Sequence, residues 1–189
     1  MFWRKTKPPK MEPLPLPNGL DIKLLPLADE INRIHESCLW SSQGQFEQMK
    51  LWRSLNLVFG VPAAILAAIA GGTGLAGNNT HVPGVLALIS AGFGAALTTL
   101  NPSRRVTQSQ ASANAYLELQ TAARQLLLVK LVTLSEEDAH TELDNLTERR
   151  DDANKTADPP STYAYWRAKR NIQKGGGQTY LTETVKRKK

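Results

Sequence analysis

The chain has 189 residues, with 23 Lys or Arg against 17 Asp or Glu, a formal net charge of +6 and a single cysteine. That length fits one domain, and the lone Cys38 excludes a disulfide framework and points to a reducing compartment. Mean hydropathy is a polar −0.32, yet residues 54–103 form an interval of fifty without one Lys, Arg, Asp or Glu.

In chain order, residues 1–27 are proline-rich and carry Arg4, Lys5, Lys7 and Lys10, which predicts a flexible arm. Met1-Phe2-Trp3 leads into basic residues and prolines without an apolar core, so the first apolar run downstream is expected to act as its own insertion signal. A single helical domain is expected over residues 28–174. Its first helix runs from Asp29 to Arg53, with Ile31, Ile34, Cys38 and Leu39 at apolar spacing. Phe46, Met49 and Trp52 or Arg53 continue the pattern past a weak point at Gly44. Nothing breaks the chain before Leu55, so this helix is expected to continue into the charge-free interval.

That interval holds two apolar runs, about 55–77 and 82–100. As helices, each is long enough to cross a hydrocarbon core of about 30 Å. A buried hairpin in a soluble bundle is the competing reading, but soluble helices normally keep a charged stripe. Only Asn78-Asn79-Thr80-His81 separates the runs, with Pro83 suited to a first helical turn. The expected unit is therefore a transmembrane helical hairpin. Asn78-Asn79-Thr80 matches a glycosylation sequon, but it lies too close to the expected membrane for a good acceptor. Lys50 and Arg53 before the hairpin, and Arg104 and Arg105 after it, place both termini in the cytoplasm by the positive-inside rule. Trp52, Arg53, Arg104 and Arg105 are the expected interfacial anchors.

Both runs carry a large face and a small one. Leu55, Val58, Ile65, Leu66 and Ile69 oppose Gly60, Ala63, Ala67, Ala70, Gly71 and Gly74 in the first. Leu86, Ile89, Phe93, Leu97 and Leu100 oppose Gly84, Ala87, Ala91, Ala95 and Thr98 in the second. Small faces let helix backbones approach closely in lipid. They either pack the hairpin on itself or also assemble several hairpins into a homo-oligomer. Ser90, Gly94 and Thr98 form a weakly polar stripe that is the candidate pore lining, although such hydroxyls often bond back to their own helix. No ionisable residue lies inside either run, which argues against proton relays, ion-coupled transport and voltage sensing.

Downstream, Asn101-Pro102-Ser103 ends the second run, and Ser103 is expected to cap a long helix carrying Ala113, Tyr116, Leu119, Ala123 and Leu126. The dense stretch Leu126–Val132 needs a partner, either the pre-membrane helix or another subunit. Ser135-Glu136-Glu137-Asp138 resembles a capping box opening a helix that ends near Ala157. A last helix is expected over Tyr163–Lys174, before a basic tail over residues 175–189. The fold class is thus an all-α membrane protein, a two-helix transmembrane hairpin with a cytosolic bundle formed by the pre-membrane and post-membrane helices.

Residues 136–152 are rich in acids and residues 163–189 in bases, so the two blocks are expected to neutralise one another. Alternatively, Lys186-Arg187-Lys188-Lys189 with the early basic residues would bind anionic lipid. A pI near 9.5 fits nucleic acid as well, but no groove-reading motif is present and none is expected as partner. His35, His81 and His140 are scattered, and Asp138, His140, Glu142 and Asp144 spread around a helix. No catalytic, metal or cofactor site is expected.

Gly44-Gln45-Phe46, Trp52, and Gly60-Val61-Pro62 entering an Ala-rich span together resemble the SLATT domain, the SMODS and SLOG-associating two-span effector domain. Leu100-Asn101-Pro102-Ser103, Tyr116, Leu119, Pro159, Tyr163 and Ala168-Lys169-Arg170 are similar to it too, so the resemblance covers roughly residues 28–172. It implies a bacterial inner-membrane protein with two spans and a cytosolic helical domain. Such a protein would oligomerise and form a pore as the effector of a nucleotide-signalled defence system, without catalysis. It also implies a separate sensor or nucleotide-signalling protein as partner. The alternative is a membrane-anchored interaction module that never conducts.

Overall fold

The computed structural model describes residues 13–77 and 81–173, which are helical with no strand among them. The early basic residues, the Asn78-Asn79-Thr80 sequon and the tail from Lys174 onward lie outside the described residues. A short 3-10 turn, Ile22–Leu24, leads into α1, Leu25–Ala76. Then come α2, His81–Leu100, and α3, Pro102–Gln125. A π-helical turn, Leu126–Lys130, follows α3, and α4, Glu136–Thr156, and α5, Thr162–Gln173, complete the chain. The chain divides into two compact units, one of residues 1–47 with 109–189 and one of residues 48–108.

The first unit is organised by apolar positions spaced alternately three and four apart. Leu24, Leu27, Ile31, Ile34 and Cys38 are buried along α1 and the turn before it. Tyr116, Leu119, Ala123 and Leu126 repeat that spacing on α3, and Ala139, Leu146 and Ala153 stand seven apart on α4. This is the spacing of a seam between helices crossing at a shallow angle. The stretch Leu126–Val132 finds its partner here, because Leu126, Leu127 and Leu131 enter the same cluster as the first half of α1. The π turn makes that possible. Leu131 N–H donates to Leu126 O at 2.9 Å, and the wider turn admits one extra residue to the buried side.

Helix ends follow local chemistry. α1 begins at Leu25, earlier than the Asp29 predicted from sequence, because Asp21 accepts from Lys23 N–H and Pro26 is harmless in a first turn. Residues before it are clasped to α1: Leu14 N–H donates to Asn32 Oδ1 at 3.1 Å and Asn32 Nδ2 to Leu14 O at 3.2 Å. Asn101, not Ser103, makes the junction between α2 and α3. Its φ of +43° falls where Asn is tolerated better than most residues. Its N–H closes α2 on Leu97 O at 2.9 Å, while its own carbonyl accepts from Arg105 N–H. Ser135 caps α4 as the sequence predicts, its hydroxyl accepting from Asp138 N–H at 3.2 Å.

From Ser42 to Gln48 the buried side chains of α1 are polar and spread to a second side of the helix, where the apolar pattern predicts Phe46 and Met49. Those two are half-buried, whereas Ser42, Gln45, Glu47 and Gln48 are buried. The reason is the C-terminal segment. Gln45 Nε2 donates to Asp158 O at 2.6 Å, and Glu47 accepts from Arg167 Nε at 3.0 Å and Asn171 Nδ2 at 2.7 Å. Gly44 leaves room for Pro160, whose Cγ would lie 3.4 Å from an added Cβ. Arg167, one of the bases expected to answer the acids of 136–152, thus pairs with Glu47. The acids of α4 have nearer cations in Lys130, Arg150 and Lys155.

Leu127 is fully buried and Val129, two residues on, is 67% exposed. Leu127→Ala is expected to destabilise the first unit by about 2–5 kcal/mol, whereas Val129→Ala should stay within about 0.5 kcal/mol. Denaturant unfolding of the purified variants, followed by helical ellipticity, measures the difference. Equal losses from both would mean that Leu127 is not part of the buried seam.

Candidate functional site

The second unit holds the charge-free interval. α1 and α2 are long and apolar enough to cross a membrane by length and composition. α2 has no buried residue at all. Leu57, Val58, Val61, Ile65, Ile69, Val82, Val85, Leu88 and Ile89 are all exposed. In water, burial of such side chains is worth about 1.5–3 kcal/mol each, so nine exposed at once form a surface suited to an apolar surrounding.

α1 and α2 touch at several places along the charge-free interval. Phe59 meets Phe93 with ring centroids 5.9 Å apart, and Gly60 lies opposite Leu97. Ser90 Oγ donates to Ala63 O at 2.7 Å, and Gly74 lies opposite Pro83. The side of α2 turned inward thus mixes sizes: Pro83, Leu86, Ser90, Phe93 and Leu97 are half-buried.

The small residues divide between two surroundings. Gly60 and Ala63 are half-buried against α2, while Ala67, Gly71, Gly84, Ala87, Ala91 and Ala95 are exposed. All of that exposed set but Ala95, with Ala70, Pro83 and Ser90, line an open groove of about 540 Å³. The expected pore-lining stripe divides as well. Ser90 is turned to Ala63, and exposed Thr98 donates its hydroxyl to Gly94 O at 3.0 Å. Gly94 is half-buried, with open space where a Cβ would stand.

Two of the expected interfacial anchors come together. The Arg105 guanidinium lies 4.8 Å from the Trp52 ring centroid, a cation–π pair worth about 0.5–1 kcal/mol when exposed. Arg105 Nε also donates to Leu100 O at 3.2 Å, meeting a carbonyl at the end of α2. Arg53 and Arg104 are exposed.

The first unit contains polar groups that an apolar-spacing argument does not find. His35 lies 3.4 Å from Gln120 Nε2, and Tyr116 Oη donates to Asn154 Oδ1 at 2.8 Å. Burial, and then the nearby charge of Arg124, push the His35 pKa down to about 4. Burial pushes the Cys38 thiol up to about 11 against the opposing pull of Arg150, so it is a packing residue with little thiolate. At 100° per residue Glu47 lies about 160° from Ile31 around α1, so the apolar stripe gave no signal for it. Its partners Arg167 and Asn171 are more than a hundred residues away and could not be paired by spacing. Among the described residues no three His, Cys, Asp or Glu side chains are grouped as a metal site.

No family model matches the chain, and neither does any curated protein or solved structure.

His35 gives the first unit a measurable pH dependence. Folded His35 takes a proton only near pH 4, whereas the unfolded side chain takes it near 6.5. Between those values the unfolded state binds more protons, so stability should be intact above about 6.5 and fall as pH drops toward 4. His35→Gln should flatten the slope in that window. Unfolding free energies of both proteins from pH 4 to 7 test it, and identical slopes would show that His35 is not held neutral by the fold.

Proposed function

We propose that the chain is a two-span membrane effector of the SLATT type. Residues about 55–77 and 82–100 cross the bilayer as a hairpin, and the other helices form a bundle on the cytoplasmic side. Several copies assemble and permeabilise the membrane when a separate sensor or nucleotide-signalling protein triggers them. The setting this reading implies is a bacterial inner membrane and a defence system.

One observation carries most of this reading: α2 has twenty residues, none charged and none buried. At 1.5 Å per residue such a helix reaches about 30 Å, the thickness of a hydrocarbon core. A helix satisfies its own backbone there, which lipid cannot do for it. Arg53, Arg104 and Arg105 at the ends of the interval support both termini lying in the cytoplasm. Exposed Ala87, Ala91 and Ala95 support close approach of a second copy. A lumen without a charged ring would discriminate poorly between ions and would close by dewetting.

A second reading has its own observation. The hydroxyls of Ser90, Thr98 and Thr99 are each engaged by a helix carbonyl, which leaves little polarity for a lumen. This favours a membrane-anchored module whose bundle recruits a partner without conduction.

Reporter fusions at Met1 and Lys189 should both read cytoplasmic, and an exterior reading at either end would overturn the topology. Ala95→Phe should shorten the crosslinking ladder of the wild-type protein in membranes, because a bulky ring separates backbones that must approach closely. Overexpressed wild type should depolarise cells, and Gly94→Ser should do so more strongly. No depolarisation from either protein at matched expression would leave the anchored module as the better reading.

A further inference from the structure

The membrane reading accounts for the apolar interval but leaves α5 without a task. This helix docks by a narrow side, on which Ala164 and Ala168 are buried and Asn171 and Arg167 reach Glu47. At 100° per residue the opposite side is centred on Trp166, with Lys169 and Arg170 beside it and Tyr163 and Tyr165 at its edges. The three aromatic side chains are 51–54% exposed. Large rings clustered on an outward helix face in water mark a surface that meets something else. The face is also one-sided in charge, since it carries Lys169 and Arg170 and α5 contains no Asp or Glu.

We propose that the outward face of α5 docks on the surface of an anionic lipid bilayer, its cations on the headgroup phosphates and its rings at the headgroup level. The proposal rests on the membrane reading above. Arg170 lies 5.6 Å from the Trp166 ring centroid. Such a pairing presents a phosphate-binding fork next to an amphipathic ring, and Trp and Tyr concentrate where membranes meet water. Twelve residues with this polarity are too short to span a bilayer, so the helix lies along its surface. The sequence after α5 adds charge of the same sign, with Lys174, Lys186, Arg187, Lys188 and Lys189 against Glu183.

Nucleic acid also offers phosphates and stacking partners. Lipid is favoured for two reasons. The Arg167 charge is matched by Glu47, which leaves Lys169 and Arg170 on the helix for a contact that nucleic acid needs many cations to hold. A chain that already spans the bilayer also meets lipid at a high effective concentration.

The test uses the full chain reconstituted in phosphatidylcholine vesicles with and without phosphatidylglycerol, their acyl chains brominated to quench tryptophan. Comparison of wild type with Trp166→Phe isolates Trp166, and comparison with Trp52→Phe isolates the membrane-edge tryptophan. Trp166 should be quenched in the anionic vesicles and released at about 1 M salt, where the screening length is about 3 Å. At about fivefold per cation, Lys169→Gln with Arg170→Gln should lower the docked-to-undocked ratio about 25-fold. Quenching of Trp52 without Trp166 in anionic vesicles overturns the α5 proposal and leaves the membrane reading standing. Quenching of neither overturns both. RNA binding that Lys169→Gln with Arg170→Gln abolishes, with Trp166 unquenched, assigns the face to nucleic acid and overturns the lipid assignment.

Discussion

Burial of one apolar stripe on the first half of α1 is the contact on which the rest of its unit depends. Ile31, Ile34 and Cys38 are fully buried, and so are Ala123, Leu127 and Leu131 from the α3 side. Each buried aliphatic side chain contributes about 1.5–3 kcal/mol, so this seam outweighs the exposed ion pairs of α4, which are worth about 0–1 kcal/mol each. The π turn at Leu126–Lys130 serves the same contact. A regular helix would carry Leu131 away from the seam, and the extra residue returns it.

A second kind of cohesion takes over where the stripe loses its apolar residues. Glu47 is 2% exposed, and a carboxylate so placed is costly without partners. Arg167 and Asn171 supply them from α5. An ion pair of this kind adds little net stability over an apolar contact, but losing one partner is expensive because the other remains buried. Glu47 therefore specifies where α5 sits more than it strengthens the unit. Gln45, whose Nε2 holds the Asp158 carbonyl, and Gly44, which admits Pro160, define the same placement.

The apolar pair obeys a different constraint. Its polar side chains are few, and the hydroxyls of Thr73, Ser90, Thr98 and Thr99 are all turned onto helix carbonyls. That is the arrangement expected of hydroxyls with no water to meet. Leu57, Val58, Ile65, Val85 and Leu88 are left outside, and the inward surfaces combine Phe59, Leu86, Phe93 and Leu97 with Gly60 and Ala63. On the proposed reading, lipid takes the role that α3 and α4 play for the first half of α1.

Periodicity and charge by themselves determined much of this protein. The absence of charge over residues 54–103 marked the two long apolar helices, and the spacing of Ile31, Ile34 and Cys38, and of Tyr116, Leu119, Ala123 and Leu126, marked the buried seam. Ser135 announced its cap because capping is a contact within one turn. Tertiary structure alone decided what depended on distant partners. Phe46 and Met49 continue an apolar pattern, yet the buried positions are Gln45 and Glu47, because Asp158, Arg167 and Asn171 arrive from more than a hundred residues away. Small faces on the two apolar runs are legible from 100° spacing. Which of those residues meets the neighbouring helix and which is left outside depends on how the two helices are rotated, and Phe59 against Phe93 and Ser90 on Ala63 decide that. Sequence spacing records which residues share a face of one helix, but not which face another helix will cover.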